Sequence, residues 1–256
     1  MIRAFGALTL TGFREARRNR ITLLIAGFAI ALLLFSTVVA DVSVAKIERV
    51  LIDVGLAGMS LMLVVLAIFL SSSLLGREIE RRTIFMIVSK PISRGLFLVS
   101  RLAGNMLTLA VLLGAMTLVF WVELVVFNAP FRSHYLLAIA ALLVELLVLS
   151  SVGFAMSSCS GHVVSAMVTA GVFFAGHLAG DIYQIAERAK SVPLEYLGKA
   201  TYYLLPNLDR LNFRPQACHL IDVPLTEALG SFAYGIAYAG VMVGIAVLIF
   251  ARRDFK

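Results

Sequence analysis

Two carboxylates interrupt otherwise uncharged apolar stretches: Glu123 in FWVELVVF and Glu145 in ALLVELLVL. An ionisable group in lipid is costly, and it commonly marks a polar contact in a pathway or an interhelical bond. A protonated or paired acid with a packing role has the same sequence signature, so both readings of Glu145 stand. Glu123 lies five residues before Asn128 and is expected to reach the interface near Trp121. The four histidines, His134, His162, His177 and His219, are dispersed, with neither H-E-x-x-H nor C-x-x-C to hold a metal. His177 stands four residues before Asp181, the spacing of a helical surface pair. No serine–histidine or paired-aspartate set accompanies either acid, so no catalytic residue is expected. Gly198-Lys199-Ala200-Thr201 is the string nearest to a phosphate-binding loop, but Pro193 stands where its first glycine is required. The chain is not expected to hydrolyse ATP by itself.

The elements that must carry these residues are membrane helices. Hydrophobic residues make up 61% of 256 and charged residues 14%, against about half and a quarter in soluble domains. Uncharged runs near the ~20 residues that cross a bilayer fall at about 21–40, 54–75, 96–127, 135–157, 163–180 and 225–250. The run at 96–127 holds Arg101 in its early part. All six prolines lie outside these runs or just before one, as helix interiors require. The expected fold is an all-α integral membrane protein of six transmembrane helices in one domain, 1–256. Glu145 is then ten residues into its span, about 15 Å along the helix and near the midplane.

Lysines and arginines orient the spans. Placing both termini on one side gathers Arg3, Arg14, Arg17, Arg18, Arg20, the basic residues of 77–101, Arg252, Arg253 and Lys256 there. That side is expected to be cytoplasmic, in the cell (inner) membrane. The formal charge of +7 then reflects topology and attraction to anionic lipid, with no need for nucleic acid. Val38-Val39-Ala40 resembles a cleavage site, but the apolar run ahead of it exceeds the ~7–15 residues of a signal peptide, so the first span is expected to remain. Cys159 and Cys218 fall on opposite faces of the membrane in this topology, too far apart to form a disulfide.

Before the first span, Phe5, Leu8, Phe13 and Ala16 recur at roughly helical spacing beside arginines, the pattern of an interfacial amphipathic helix over 1–20. The outer segment 181–224 reads as two short helices lying against the leaflet. One opens at a capping box formed by Asp181 and Gln184, and the other at Pro193. Ser157, Gly161, Ser165 and Thr169 recur every four residues, with Gly176/Gly180 and Gly240/Gly244 at the same interval. Such spacing lets helices approach closely, here by intrachain packing rather than along a dimer seam.

Between spans two and three, REIERRTIFMIVSKPISR (77–94) crowds Arg77, Glu78, Glu80, Arg81 and Arg82 at one end and closes on Pro91. Helix-supporting charge intervals and the shared face of Ile79, Met86 and Ile87 read as a short amphipathic helix ending near Lys90. Held between two membrane helices, it has the geometry of a lever. Read from Glu78 to Arg94, E-x-E-x-x-T-x-x-x-x-x-S-K-P-I-S-R resembles the cytoplasmic motif of ABC-2 type transporter permeases. The nearest branch in pattern is that of copper-site maturation and gliding-motility permeases. YYLLPNLDRLNF (202–213) and the terminal IFARRDF (249–255) resemble that branch too. Arg82 departs from it, standing where the family usually has glycine before threonine, which bears on which ATPase is accepted.

The resemblance implies the permease subunit of an ABC-2 type exporter. It implies a dimer with a second copy or a paralogue, driven by separate ABC ATPase chains that carry the ATP and Mg, with no cofactor bound by this chain. The ATPase would dock on Glu78, Glu80, Arg81, Arg82, Thr83, Ile84 and Phe85, the coupling segment. An outer-face partner protein and membrane lipid complete the expected contacts. The alternatives are a secondary transporter using Glu145 and a membrane assembly factor.

Overall fold

In a computed structural model, residues 47–80, 94–188 and 205–252 are described, together with 6, 9, 27, 28, 30–32, 34, 35 and 199. Among them every extended element is helical: α1 (Ile47–Glu80), α2 (Arg94–Val126), α3 (Ser133–Cys159), α4 (His162–His177), α5 (Ala179–Arg188), a 3-10 turn at Asp209–Leu211, α6 (Arg214–His219) and α7 (Leu225–Arg252). Among the described residues four segments are long and apolar enough to cross a membrane: Glu48–Ser73, Gly95–Val126, Ser133–Cys159 and Leu225–Ala251. With 16 residues, α4 is about 24 Å long, short of the ~30 Å hydrocarbon core. The described residues of the first expected span, 27, 28, 30–32, 34 and 35, are also helical. Its Phe28 and Leu32 are buried while Ile30 and Leu34 are exposed, one face turned inward at the four-residue interval. Phe28 lies against Gly58 of α1, where a Cβ would sit 3.2 Å from its ring.

The central helix is α3, which packs against α1, α2, α4, α6, α7 and the 3-10 turn. It is apolar on all sides, as a helix surrounded by others must be. Of its apolar window 61% is buried, against 17% for α7 at the periphery. Asn128 closes α2 in the left-handed region at φ 53°, a conformation its short polar side chain tolerates. There Ala129 N–H donates to Leu124 O at 2.8 Å and Asn128 N–H to Val125 O at 3.1 Å, the paired bonds that satisfy the last carbonyls of a helix.

Several sequence expectations change. The helix of α1 continues without a break through Arg77–Glu80, so these residues extend span two rather than open a separate helix. No proline intervenes before Pro91, and the hydroxyls of Ser71 and Ser72 donate to carbonyls three residues back in the same helix, compatible with its continuation. Arg81, Arg82, Thr83, Ile84 and Phe85 lie outside the described residues, as does most of the expected helix over 1–20. In addition, α5 starts at Ala179 with Asp181 inside its first turn. Ile182 N–H donates to Leu178 O at 2.9 Å, so the helical path passes almost directly from α4 into α5, ahead of the expected cap.

The helix expected to open at Pro193 lies outside the described residues but for residue 199, and residues 205–219, the described remainder of the expected outer segment before 220, pack into the bundle. Leu208, Leu211, Phe213 and Ala217 are buried members of the main core. Leu208 N–H donates to Gly176 O at 3.1 Å, and Asn207 N–H to the Tyr234 hydroxyl at 2.9 Å. Gly176 permits the insertion, because a Cβ there would meet Pro206 O at 2.6 Å. The short α4 stops where this segment enters, so the segment fills the bundle where α4 does not reach.

Candidate functional site

The inserted segment brings charge to the buried acid. Glu145 stands 12 residues past Ser133 on α3, about 18 Å along the helix, and is 3% exposed. Its Oε1 lies 3.6 Å from His177 Nε2, at the end of α4, and makes no hydrogen bond. Nδ1 of His177 is 3.2 Å from Phe173 O. A carbonyl only accepts, so Nδ1 carries the hydrogen, and Nε2 bears one only in the imidazolium. The two side chains are therefore compatible when one proton resides on either Glu145 or His177 Nε2. His177 thus faces Glu145 rather than its expected neighbour Asp181, which is exposed.

A cavity of about 30 Å³ opens beside Glu145, bordered by Ser60 of α1 and by Asn212 and Arg214 of the inserted segment. This is room for one water, in a setting with enough polar groups to hold it. Arg214 Nε lies 3.7 Å from Asp53 Oδ1 of α1, and Cys218 Sγ lies 3.7 Å from the same oxygen. Burial, and then the neighbouring Asp53 carboxylate, pushes the Cys218 thiol up to about 11. Glu123 turns inward, 2% exposed, while Trp121 is 49% exposed. It is not among the residues bordering the cavity at Glu145. Asp53, Asn212, Arg214 and Cys218 carry no site signal in the sequence, since nothing local ties 53 to 214. The one available signal was the burial-compatible pattern Leu208, Leu211, Phe213 inside a segment that also carries charge.

Towards the α3–α4 turn the interior is lined by hydroxyls. Ser71, Ser72, Ser100, Thr108, Ser151, Ser158 and Thr169 are buried, and each donates to a carbonyl three or four residues back in its own helix. Bonds between helices are fewer: Ser157 Oγ to Ser72 O at 3.2 Å, Ser165 Oγ to Gly153 O at 2.9 Å, and Asn105 Nδ2 to Ser150 Oγ at 3.1 Å. Ser157, Ser165 and Thr169 thus serve packing within the chain, whereas a Cβ at Gly161, Gly240 or Gly244 would meet open space. Buried Arg101 lies with its guanidinium 5.7 Å from the centroid of the Phe97 ring. Between α1 and α4 runs a half-open groove of about 710 Å³, apolar along Leu61, Val65, Phe69, Met167 and Phe174, with Ser72, Ser73 and His162 also on its wall.

A multi-pass bundle of apolar helices with a buried polar cluster is the frame of a membrane transport component. Residues 7–255 match the family described as ABC-2 family transporter protein, and the chain belongs to that family. It is a membrane permease of an ABC-type transporter, a transport component rather than a catalyst. No match was found among curated proteins.

Proposed function

We propose that the chain is the permease subunit of an ATP-driven exporter, working as a dimer with a second copy or a paralogue. Separate ABC ATPase chains would hold the ATP and Mg and press on 77–94 from the cytoplasm, through Glu78, Glu80, Arg81, Arg82, Thr83, Ile84 and Phe85. Both termini face the cytoplasm of the cell (inner) membrane, and the α2–α3 junction with the inserted segment faces outward. The observation that carries this reading is the unbroken run of α1 from Ile47 to Glu80. A push at Glu80 moves Asp53, 27 residues and about 40 Å away, as part of one rigid element. The apolar lateral groove favours an amphipathic or lipid-like cargo, to be checked by ATPase stimulation in nanodiscs. Stimulation by a hydrophilic ion alone would count against that cargo.

Phe85→Ala tests the docking. Aromatic anchors commonly dominate small interfaces, at about 2 kcal/mol or more on truncation. Loss of ATPase pull-down, or hydrolysis uncoupled from transport, is expected. Wild-type values for both would leave 77–94 as a topology-fixing loop. A secondary transporter is the second reading, favoured by the burial of Glu145 beside His177. Transport driven by an ion gradient in the absence of nucleotide would select it.

A further inference from the structure

We propose that Arg214 is a two-position latch, held by Asp53 of α1 in this arrangement and by Glu145 of α3 when α1 shifts. The exchange loosens the inserted segment 205–219 from the bundle. Two carboxylates on different helices stand about one guanidinium. The present pair is loose: the side chains of Arg214 and Asp53 are 39% and 62% exposed and 3.7 Å apart, the kind of pair that contributes little when solvent reaches it. On the other side, Glu145 is nearly sealed from solvent with Oε1 lacking a hydrogen bond, and a buried carboxylate gains most from a cation. The cavity bordered by both Glu145 and Arg214 has room for one water that can bridge the guanidinium to the carboxylate. The remaining ionisable groups near the pair are His177 on α4, Asp209 of the 3-10 turn and Cys218 of α6.

Arg214 opens α6 next to Phe213, which stacks edge-on against Phe232 of α7. Its position therefore bears on how the segment is seated. Backbone bonds from this segment to the helices around it occur at Leu208 and Asn207, so its seating depends largely on side-chain contacts, those of Arg214 among them. A displacement of α1 relative to α3 changes the two Arg214–carboxylate distances independently, which is what an exchange requires. The inference rests on the permease reading for what drives α1. Its test uses the chain alone, so failure of one does not entail failure of the other.

Hydrogen exchange of the amides of 205–219, in the purified full chain in nanodiscs, reads the latch, with the amides of α3 as internal reference. Asp53→Asn and Glu145→Gln singly are expected to stay within about twofold of wild type, because the remaining carboxylate holds the guanidinium. The double variant and Arg214→Gln are expected to exchange at least ~10-fold faster, with Arg214→Lys closer to wild type. If Asp53→Asn alone matches Arg214→Gln, the pair is fixed and the latch is overturned. The same holds if Glu145→Gln alone matches it, or if the double variant stays protected. Should Arg214→Gln expose α3 as well, the two isosteric single variants and their combination decide the outcome.

Discussion

The two ends of the bundle solve the same problem differently. Towards the α2–α3 junction ionisable groups from α1, α3, α4 and the inserted segment approach one another across elements at 3.6 to 3.7 Å, with Glu145 and Arg214 bordering one small cavity. Towards the α3–α4 turn, apart from the buried Arg101, the polar groups are mostly neutral hydroxyls bonded to carbonyls of their own helix. A hydroxyl satisfied within its helix loses nothing when that helix slides against its neighbour. A charge paired across helices has discrete partners and must exchange one for another. The hydroxyl arrangement tolerates graded motion, and the charged one converts it into a choice between states. A long rigid α1 crosses both regions, with Ser71 and Ser72 in one and Asp53 and Ser60 in the other.

Substitutions sharpen this contrast. The largest effect is expected from Leu208→Ala, which empties a fully buried core position of the inserted segment. It should cost about 3 kcal/mol, seen as a lower thermal midpoint in detergent. Gly176→Ala follows: its Cβ would meet Pro206 O at 2.6 Å, and overpacking against backbone costs about 2 kcal/mol. Faster amide exchange should be confined to 205–219 in this variant. An unchanged exchange rate would mean that the segment does not approach Gly176 so closely.

Thiol chemistry separates the ends by rate. Cys159 is exposed at the end of α3, whereas Cys218 is buried. With the Cys218 thiol pushed up to about 11, the reactive thiolate is its minor form at neutral pH. A maleimide at pH 7.5 should modify Cys159 about 100-fold faster than Cys218, and the Cys218 rate should climb about tenfold per pH unit up to pH 10. Equal rates at pH 7.5 would mean that residues 205–219 lie open at the surface. The smallest effect belongs to the hydroxyl region. In Ser151→Ala the side chain lost is one bonded to Val148 O of the same helix, so stability should change by no more than about 0.5 kcal/mol. A loss near that of Leu208→Ala would contradict the contrast between the ends.

Much of the frame was legible in the sequence. The bounds of α3 and α7 fall within two residues of the apolar runs at 135–157 and 225–250, because proline and charge mark where lipid ends. Glu145 also stood out, since a lone acid in a 20-residue apolar run has no local partner. Its surroundings did not. Arg214 is 69 residues further along the chain, and its segment reads as interfacial because tyrosines, prolines and charges are mixed with short apolar runs. His177 pairs with Glu145 through tertiary packing, which overrode the i,i+4 neighbour at Asp181. The length of α1 was underestimated because hydropathy marks the membrane boundary, while a helix continues until something stops it.

The most direct measurement is gentle solubilisation of the tagged full-length chain, followed by identification of co-purifying proteins and assay of ATP hydrolysis. An ATP-driven permease predicts that a nucleotide-binding chain comes with it and that the complex hydrolyses ATP. Reproducible purification of the chain without a nucleotide-binding partner and without hydrolysis, across several mild detergents and nanodiscs, would contradict it.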